Sequence, residues 1–236
     1  MAKGTLYLIP NVIAEDTTHQ AIPEGVKDTL KTIRYFLAED VRTARRYLSS
    51  LKIFGSIEGL TFEVLNKDTT TEEIATLMTP LSEGNDVGVI SESGCPAVAD
   101  PGSLAVAYAH AHDIKVVPMV GPSSILMALM ASGLNGQQFA FNGYLPIEKK
   151  EVVKTIRQLE DESRKKNQTQ VFIETPYRNN KLFETLIKTL QPETQLCVAC
   201  NIMGVDEAIQ TRPVNTWRKE KARWPKAPCI FMFLGK

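Results

Sequence analysis

Residues 86–102, DVGVISESGCPAVADPG, join a short β-branched run to a turn-rich segment, and a helical pattern follows at once. Residues 114–134, IKVVPMVGPSSILMALMASGL, repeat this order of strand, Gly-Pro-Ser cluster and helix. In α/β proteins ligands bind at the carboxyl ends of strands, where loops expose backbone groups and helix N-termini. The two segments therefore predict a cleft for a small molecule that is polar and partly apolar.

Strand-like runs alternate with helical patterns through the first half of the chain. The strand-like runs are residues 5–9, 34–39, 61–66, 86–91 and 114–120. Strands separated by helices indicate βαβ units, and hence a mostly parallel sheet covered by helices on both faces. Thr70 and Glu73 have the spacing of a capping box, and Gly84 stands where a C′ residue is expected. The first half is therefore predicted to be an α/β lobe.

The second half has a different organisation. A long charged amphipathic helix is predicted over about residues 147–166, and strands with shorter connections follow it. This pattern predicts an α+β lobe with a mixed sheet. We place the lobes at residues 1–119 and 120–236, with a boundary after Gly133 as the alternative, and we expect a ligand cleft between them.

Composition excludes several classes of protein. Lys plus Arg and Asp plus Glu both number 27, so no global positive field holds nucleic acid, and any such contact needs a local patch. No apolar run approaches the roughly 20 residues of a membrane-spanning helix. The first residues show no signal-peptide pattern, and we expect a cytoplasmic location.

The cysteines and histidines show no metal-site spacing. Cys197 and Cys200 form a C-x-x-C, but they lie in an apolar strand-like run without the turn residues of a metal knuckle. Strand residues three apart also point to opposite faces. We interpret these two, with Cys95 and Cys229, as buried free thiols, and we expect no metal.

Common catalytic fingerprints are absent from the sequence. The first strand runs into Pro10 and Asn11 with no Gly-rich turn, and no G-K-[ST] phosphate loop occurs. Ser91 and Ser93 do not stand in a G-x-S-x-G elbow. Dinucleotide-binding, P-loop and simple hydrolase functions are therefore disfavoured.

Acidic side chains at strand ends are the candidates for chemistry. Glu39 and Asp40 end the second strand, and Arg42 follows them. Asp40 is interpreted either as a helix N-cap or, with Glu39, as a carboxylate that faces the cleft and accepts a proton. Glu92 and Asp100 carry the same two interpretations.

Two further segments have alternative interpretations. Ser123 and Ser124 follow a Gly-Pro pair, and they either cap a helix or offer hydroxyls and amides to a ligand carboxylate. In residues 212–226, RPVNTWRKEKARWPK, basic side chains surround Trp217 and Trp224. Such a segment is either a solvated helix face or an RNA patch that binds phosphates and stacks bases. Its basic residues include Arg218, Lys219, Lys221, Arg223 and Lys226.

Ordered motifs along nearly the whole chain resemble those of one family. They are GTLYLIP at 4–10, AED at 38–40, VGVISESGCPAVADPG at 87–102, VVPMVGPSSILMALMASGL at 116–134, FNGYLP at 141–146 and FIETPYR at 172–178. The chain resembles the tetrapyrrole methylase superfamily of S-adenosylmethionine-dependent methyltransferases. Within it, the chain is most similar to the branch that methylates cytidine 2′-hydroxyls of small-subunit ribosomal RNA.

The resemblance implies a homodimer of two-lobed subunits, with S-adenosylmethionine in the cleft and RNA or the ribosomal subunit as substrate. It implies cofactor contacts at Pro10, Ser91, Glu92, Ser93, Val98, Asp100, Ser123, Ser124, Thr175 and Asn201. A ribose hydroxyl acceptor also needs a base, for which Glu39 and Asp40 are the candidates, with Arg42 beside them.

Three segments depart from the family pattern. Residues 10–15 read PNVIAE in place of P-T-P-I-G-N, residues 65–68 read LNKD in place of H-N-E, and residues 199–204 read ACNIMG in place of A-R-E-L-T-K. The resemblance implies that these segments lie on the side of the site that binds the methyl acceptor, whereas the motifs on the cofactor side are kept. Two alternatives therefore stay open: a methyltransferase that acts on a tetrapyrrole or other small molecule, and a non-catalytic protein that binds S-adenosylmethionine.

Overall fold

The computed structural model describes residues 2–220 and 222–236. The chain divides between Ser123 and Ser124 into two compact units, a few residues after position 119. Within the described residues, no helix is both long and apolar enough to cross a membrane.

The first unit is built on a parallel sheet of five strands in the order β3-β2-β4-β1-β5. The strands are β1 Thr5–Ile9, β2 Tyr35–Ala38, β3 Thr61–Val64, β4 Val87–Ile90 and β5 Lys115–Pro118. The helices are α1 Thr18–Ala21, α2 Glu24–Leu30, α3 Val41–Ser50, α4 Thr71–Leu77, α5 Thr79–Ser82 and α6 Gly102–Ala111. The predicted parallel α/β lobe is confirmed.

Local signals in the first unit have the expected geometry. Thr70 and Glu73 form a complete capping box at the start of α4. Gly84 follows α5 with a φ of +90°, the left-handed conformation that glycine tolerates best. The helix predicted there is interrupted at Met78, because Pro80 has no N–H to continue the ladder and instead occupies the first turn of α5.

The second unit is built on a mixed sheet in the order β6-β7-β10-β8-β9. Its strands are β6 Phe139–Tyr144, β7 Thr169–Glu174, β8 Gln195–Cys200, β9 Ala208–Pro213 and β10 Cys229–Leu234. Its helices are α7 Ser124–Ser132, α8 Lys149–Lys166, α9 Asn179–Thr189 and α10 Val214–Trp217. Only the β6–β7 pair is parallel among the described strands of this sheet, so the predicted mixed α+β lobe is confirmed.

The two tryptophans of residues 212–226 belong to the core of the second unit. Trp217 is 0% and Trp224 7% exposed, and both pack edge-to-face on Phe183. Trp217 Nε1 donates to Leu196 O at 2.9 Å. The prediction that RNA bases stack on these rings is therefore wrong, because both rings are buried in the core of the second unit. Lys221, which was assigned to the same patch, lies outside the described residues.

The prediction of free thiols is wrong for two of the four cysteines. Antiparallel pairing of β8 with β10 places Cys200 opposite Cys229 with Cα atoms 4.1 Å apart, and the two form a disulfide. Cys95 and Cys197 are free, as expected. Burial raises the pKa of Cys197 to about 11. The disulfide depends on strand register, which the spacing of cysteines along the sequence does not reveal.

Candidate functional site

The loops that follow β1, β4 and β5 are tied together in the first unit. Asn11 N donates to Gly94 O at 2.9 Å and Gly94 N donates to Asn11 O at 3.2 Å, so the ends of the β1 and β4 loops form a small antiparallel bridge. Cys95 Sγ donates to Pro122 O at 3.3 Å, which joins the β4 loop to the β5 loop. The turn-rich parts of residues 86–102 and 114–134 therefore meet at the carboxyl edge of the parallel sheet.

Gly121 permits the closest of these approaches. A Cβ at this position would overlap the ring of Pro10, so the ends of β5 and β1 lie too near each other for any side chain here. Pro10 is held in turn by Tyr47, whose hydroxyl donates to Pro10 O at 2.7 Å. Burial raises the pKa of Tyr47, which keeps this hydroxyl a donor.

Asn11 is a residue of the site that the sequence analysis did not single out. Its side chain is buried, and Nδ2 donates to Ser91 O at 3.0 Å and to Glu92 O at 3.1 Å. Its Oδ1 accepts from Val12 N at 2.8 Å. The amide thus fastens the start of the β4 loop to the end of β1. In the sequence, only its position directly after a strand marks Asn11 as a site candidate, and an ordinary turn residue occupies the same kind of position.

Ser91 uses its hydroxyl to shape the loop that follows β4. Ser91 Oγ donates to Ser93 O at 2.7 Å and accepts from Ser93 N at 3.1 Å. Ser91 is buried, whereas Glu92 and Ser93 are exposed. The loop is therefore rigid at its base and presents Glu92 and Ser93 to its surroundings.

Asp100 holds the middle of the same loop. Its Oδ1 accepts from Ala97 N at 3.0 Å and from Gly102 N at 2.7 Å. Ala97 and Ala99 adopt left-handed φ angles of +66° and +57°, each of which costs about 1–2 kcal/mol for an L-residue. The Asp100 carboxylate offsets part of that cost and fixes a turn in which Val98 is 50% exposed.

Glu39 completes an acidic group at this edge of the sheet. Partial burial is the main cause that raises the pKa of Glu39, and the charges of Glu92 and Asp100 raise it further. The three carboxylates are thus within electrostatic reach of one another, although they come from the ends of two different strands. Glu39 and Asp100 line one shallow crevice, with Leu65 and Gly102 also on its wall.

Asp40 and Arg42 have different surroundings from Glu39. Asp40 is the N-cap of α3, where its Oδ1 accepts from Thr43 N at 2.5 Å, and this backbone hydrogen bond lowers the pKa of Asp40. Arg42 is exposed in the first turn of the helix. The N-cap interpretation of Asp40 is therefore confirmed.

The Ser123-Ser124 pair marks the end of the first unit and the start of the second. Ser124 is the first residue of α7, so the helix begins where the Gly-Pro-Ser signal predicted it. Both serines are partly buried.

The two remaining cofactor candidates lie at one edge of the sheet in the second unit. Thr175 follows β7 and Asn201 follows β8, and these strands flank the start of β10. Thr175 N and Oγ1 donate to Glu174 Oε1 at 2.7 and 3.3 Å, and Arg178 pairs with Glu174 Oε2 at 2.9 Å. Asn201 has a left-handed φ of +53°. The predicted site residues thus form two groups, one on each unit.

Comparison with known proteins gives a consistent result. The family model of the tetrapyrrole (corrin/porphyrin) methylases matches residues 19–215. A ribosomal RNA small subunit methyltransferase I from Buchnera aphidicola is 27% identical and covers 98% of this chain and 79% of its own length. Proteins of that name from Halalkalibacterium halodurans and Escherichia coli O157:H7 are 33% and 26% identical, over 80% and 99% of this chain and 61% and 79% of their own lengths.

Among solved structures, the methyltransferase CobJ has the same fold. Its TM-score is 0.61 over 99% of this chain and 100% of that chain, at 16% identity. The fold, the order of motifs and the family match over most of the length agree. The chain is a methyltransferase that belongs to the tetrapyrrole (corrin/porphyrin) methylase family.

Proposed function

We propose that this enzyme transfers a methyl group from S-adenosylmethionine to a ribose 2′-hydroxyl of small-subunit ribosomal RNA. The observation that carries the proposal is the similarity over 98–99% of the chain to proteins named ribosomal RNA small subunit methyltransferase I. With such a substrate the enzyme works in the cytoplasm, where bacterial ribosomes are found.

The acidic group of the first unit fits S-adenosylmethionine chemically. Glu39, Glu92 and Asp100 favour a ligand with positive charges, and this donor carries both a sulfonium and an ammonium group. The half-exposed Val98 offers apolar surface beside them for the uncharged part of the ligand. The sulfonium makes the methyl group electrophilic, so the protein chiefly aligns the acceptor and excludes water.

The residues proposed to hold the donor are those at the strand ends. In the first unit, Ser91, Asn11 and Asp100 keep the loop in shape by their internal hydrogen bonds, and this fixed backbone supports binding. The proposed contacts are Pro10, Ser91, Glu92, Ser93, Val98, Asp100 and Ser123 in the first unit and Ser124, Thr175 and Asn201 in the second.

Glu39 is the proposed general base. Its raised pKa makes its carboxylate a stronger proton acceptor than an ordinary glutamate, which suits a weakly acidic ribose hydroxyl. Asp40 supports the site by capping α3, and the exposed Arg42 adds a positive charge for the RNA backbone.

We further propose that the enzyme is a homodimer, as the family resemblance implies. Large apolar side chains on the second unit support this, among them Met130 on α7 and Ile147, which are 83% and 74% exposed. Sedimentation velocity tests it: Met130→Glu should convert a dimer to monomer, whereas Lys166→Glu, a charge change at another exposed helix position, should not.

Methyl transfer to isolated small ribosomal subunits is the decisive experiment. The purified enzyme and radiolabelled S-adenosylmethionine are incubated with small ribosomal subunits from a strain that lacks this enzyme, and the labelled nucleotide is mapped. Label in the ribosomal RNA, absent with subunits from the parent strain, supports the proposal. Label only in an added corrin or porphyrin establishes the small-molecule alternative. Calorimetric binding of the donor with no transfer to either acceptor contradicts the proposed substrate.

A further inference from the structure

We propose that Tyr177 is a stacking platform for an unpaired base of the RNA substrate, and that Lys226 binds the adjacent phosphate. This inference rests on the proposed function and adds to it a binding subsite on the second unit. The subsite lies two residues beyond Thr175, at the end of β7.

The exposure of Tyr177 is unusual for an aromatic side chain. It is 83% exposed, whereas the aromatic rings of the neighbouring core, such as Phe183 and Trp217, are buried. Lys226 Nζ lies 5.8 Å from the centroid of its ring, at the distance of a cation–π contact. An accessible aromatic face with a cation beside it is the combination with which proteins bind single-stranded nucleic acid.

The position of Lys226 is fixed by hydrogen bonds to the start of α9. Asn180 Nδ2 donates to Trp224 O and Trp224 N donates to Asn180 Oδ1, both at 2.8 Å. Asn179 Nδ2 donates to Ala227 O at 2.8 Å from a fully buried position. Residues 224–227 are therefore held against the residues that immediately follow Tyr177, and burial of the Trp224 ring anchors the segment.

The charges around Tyr177 favour an anionic partner. Lys181 and Arg223 are exposed on the same two segments as Tyr177 and Lys226, and the first turn of α9 carries no acidic residue. Glu174 is buried and already paired with Arg178. A chain with no net charge needs a local positive surface to bind RNA, and this surface supplies one. The basic stretch of residues 212–226 thus contributes a cation, while the stacking ring comes from Tyr177 rather than from the tryptophans.

Fluorescence anisotropy with a labelled single-stranded fragment of the ribosomal RNA tests the proposal. Tyr177→Ala should weaken RNA binding by roughly 5- to 100-fold, the range for loss of one base–aromatic stack, and Tyr177→Phe should restore most of it. Lys226→Ala should reduce the slope of log K against log salt by about 0.7, because one phosphate contact to a single strand is lost. The control Lys166→Ala removes the same charge at the end of α8, just before the start of β7 and so at the other end of that strand from Tyr177. It should leave the RNA affinity and the salt slope unchanged.

The outcomes separate this inference from the proposed function. If the wild-type enzyme methylates ribosomal RNA and Tyr177→Ala binds the fragment as tightly as wild type, the stacking subsite is wrong while the function stands. If Tyr177→Ala instead changes only the oligomeric state in sedimentation, the surface is a protein interface and the proposal is also wrong. Failure of the proposed function shows differently, as absence of methyl transfer to ribosomal RNA by the wild-type enzyme.

Discussion

Replacing Asn11 by alanine should destabilise the first unit and loosen its candidate site together. The substitution removes a donor from the buried bond to Ser91 O, a donor from the part-buried bond to Glu92 O, and the acceptor of Val12 N. Each lost hydrogen bond is worth about 1 kcal/mol, and the groups left unpaired add to that. We therefore expect a loss of about 2–4 kcal/mol in the free energy of unfolding, because little water can replace a side chain that is 3% exposed.

Urea denaturation measures this loss, and calorimetric titration with S-adenosylmethionine measures its effect on binding. Asn11→Asp is the matched variant: it keeps an acceptor for Val12 N but turns a carboxylate toward two carbonyl oxygens, so it should be at least as damaging. Asn215→Ala is the control and should change stability by less than about 0.5 kcal/mol, because it removes only two long bonds, to Glu193 at 3.4 Å and from Thr216 Oγ1 at 3.3 Å. If Asn11→Ala is as stable as wild type, Asn11 does not hold the loop after β4 against the end of β1, and the reasoning is refuted.

Further variants test the rest of the site. Gly121→Ala should lower the free energy of unfolding by about 1–3 kcal/mol, because the new Cβ overlaps Pro10. Gly25→Ala, in open space within α2, should raise it by about 0.5–1 kcal/mol. Thermal unfolding of both variants measures this, and a change in the same direction in both would contradict it. Glu39→Gln should lower kcat about 100-fold or more. Glu92→Gln should move the acid limb of the wild-type pH–rate profile to lower pH, because a neighbouring negative charge is lost; an unmoved limb would contradict this. Asp40→Ala should lower Tm at neutral pH. Since the pKa of Asp40 is depressed in the folded state, that difference should disappear once acid protonates it, and a difference that persists in acid would contradict the cap.

The sequence was sufficient to predict the five strands of the first unit and the long helix α8. Short apolar runs bounded by turn residues were recognisable as strands, and the capping box at Thr70 predicted the start of α4. The carboxyl ends of parallel strands necessarily share one edge of a sheet, so grouping Glu39 with Glu92 and Asp100 followed from fold class alone. These predictions use only local pattern and topology.

Features that depend on long-range packing were not predictable in the same way. The spacing of Trp217 and Trp224 among basic residues is equally compatible with a surface and with a core, and only packing on Phe183 decides between them. Pairing of Cys200 with Cys229 depends on the register of two strands whose order in the sheet the sequence does not reveal. Asn11 has no property in sequence that distinguishes it from an ordinary turn residue.

The zero net charge of the chain is compatible with local surfaces of opposite sign. The first unit gathers Glu39, Glu92 and Asp100 at the end of its sheet, the surface proposed for the cationic methyl donor. The second unit places Lys226 beside the exposed Tyr177, the surface proposed for the anionic, base-bearing acceptor. Donor and acceptor of the proposed reaction carry opposite charges, so a protein that binds both needs patches of both signs. Salt should accordingly weaken RNA binding steeply, as expected for phosphate contacts, while affinity for S-adenosylmethionine changes little by comparison.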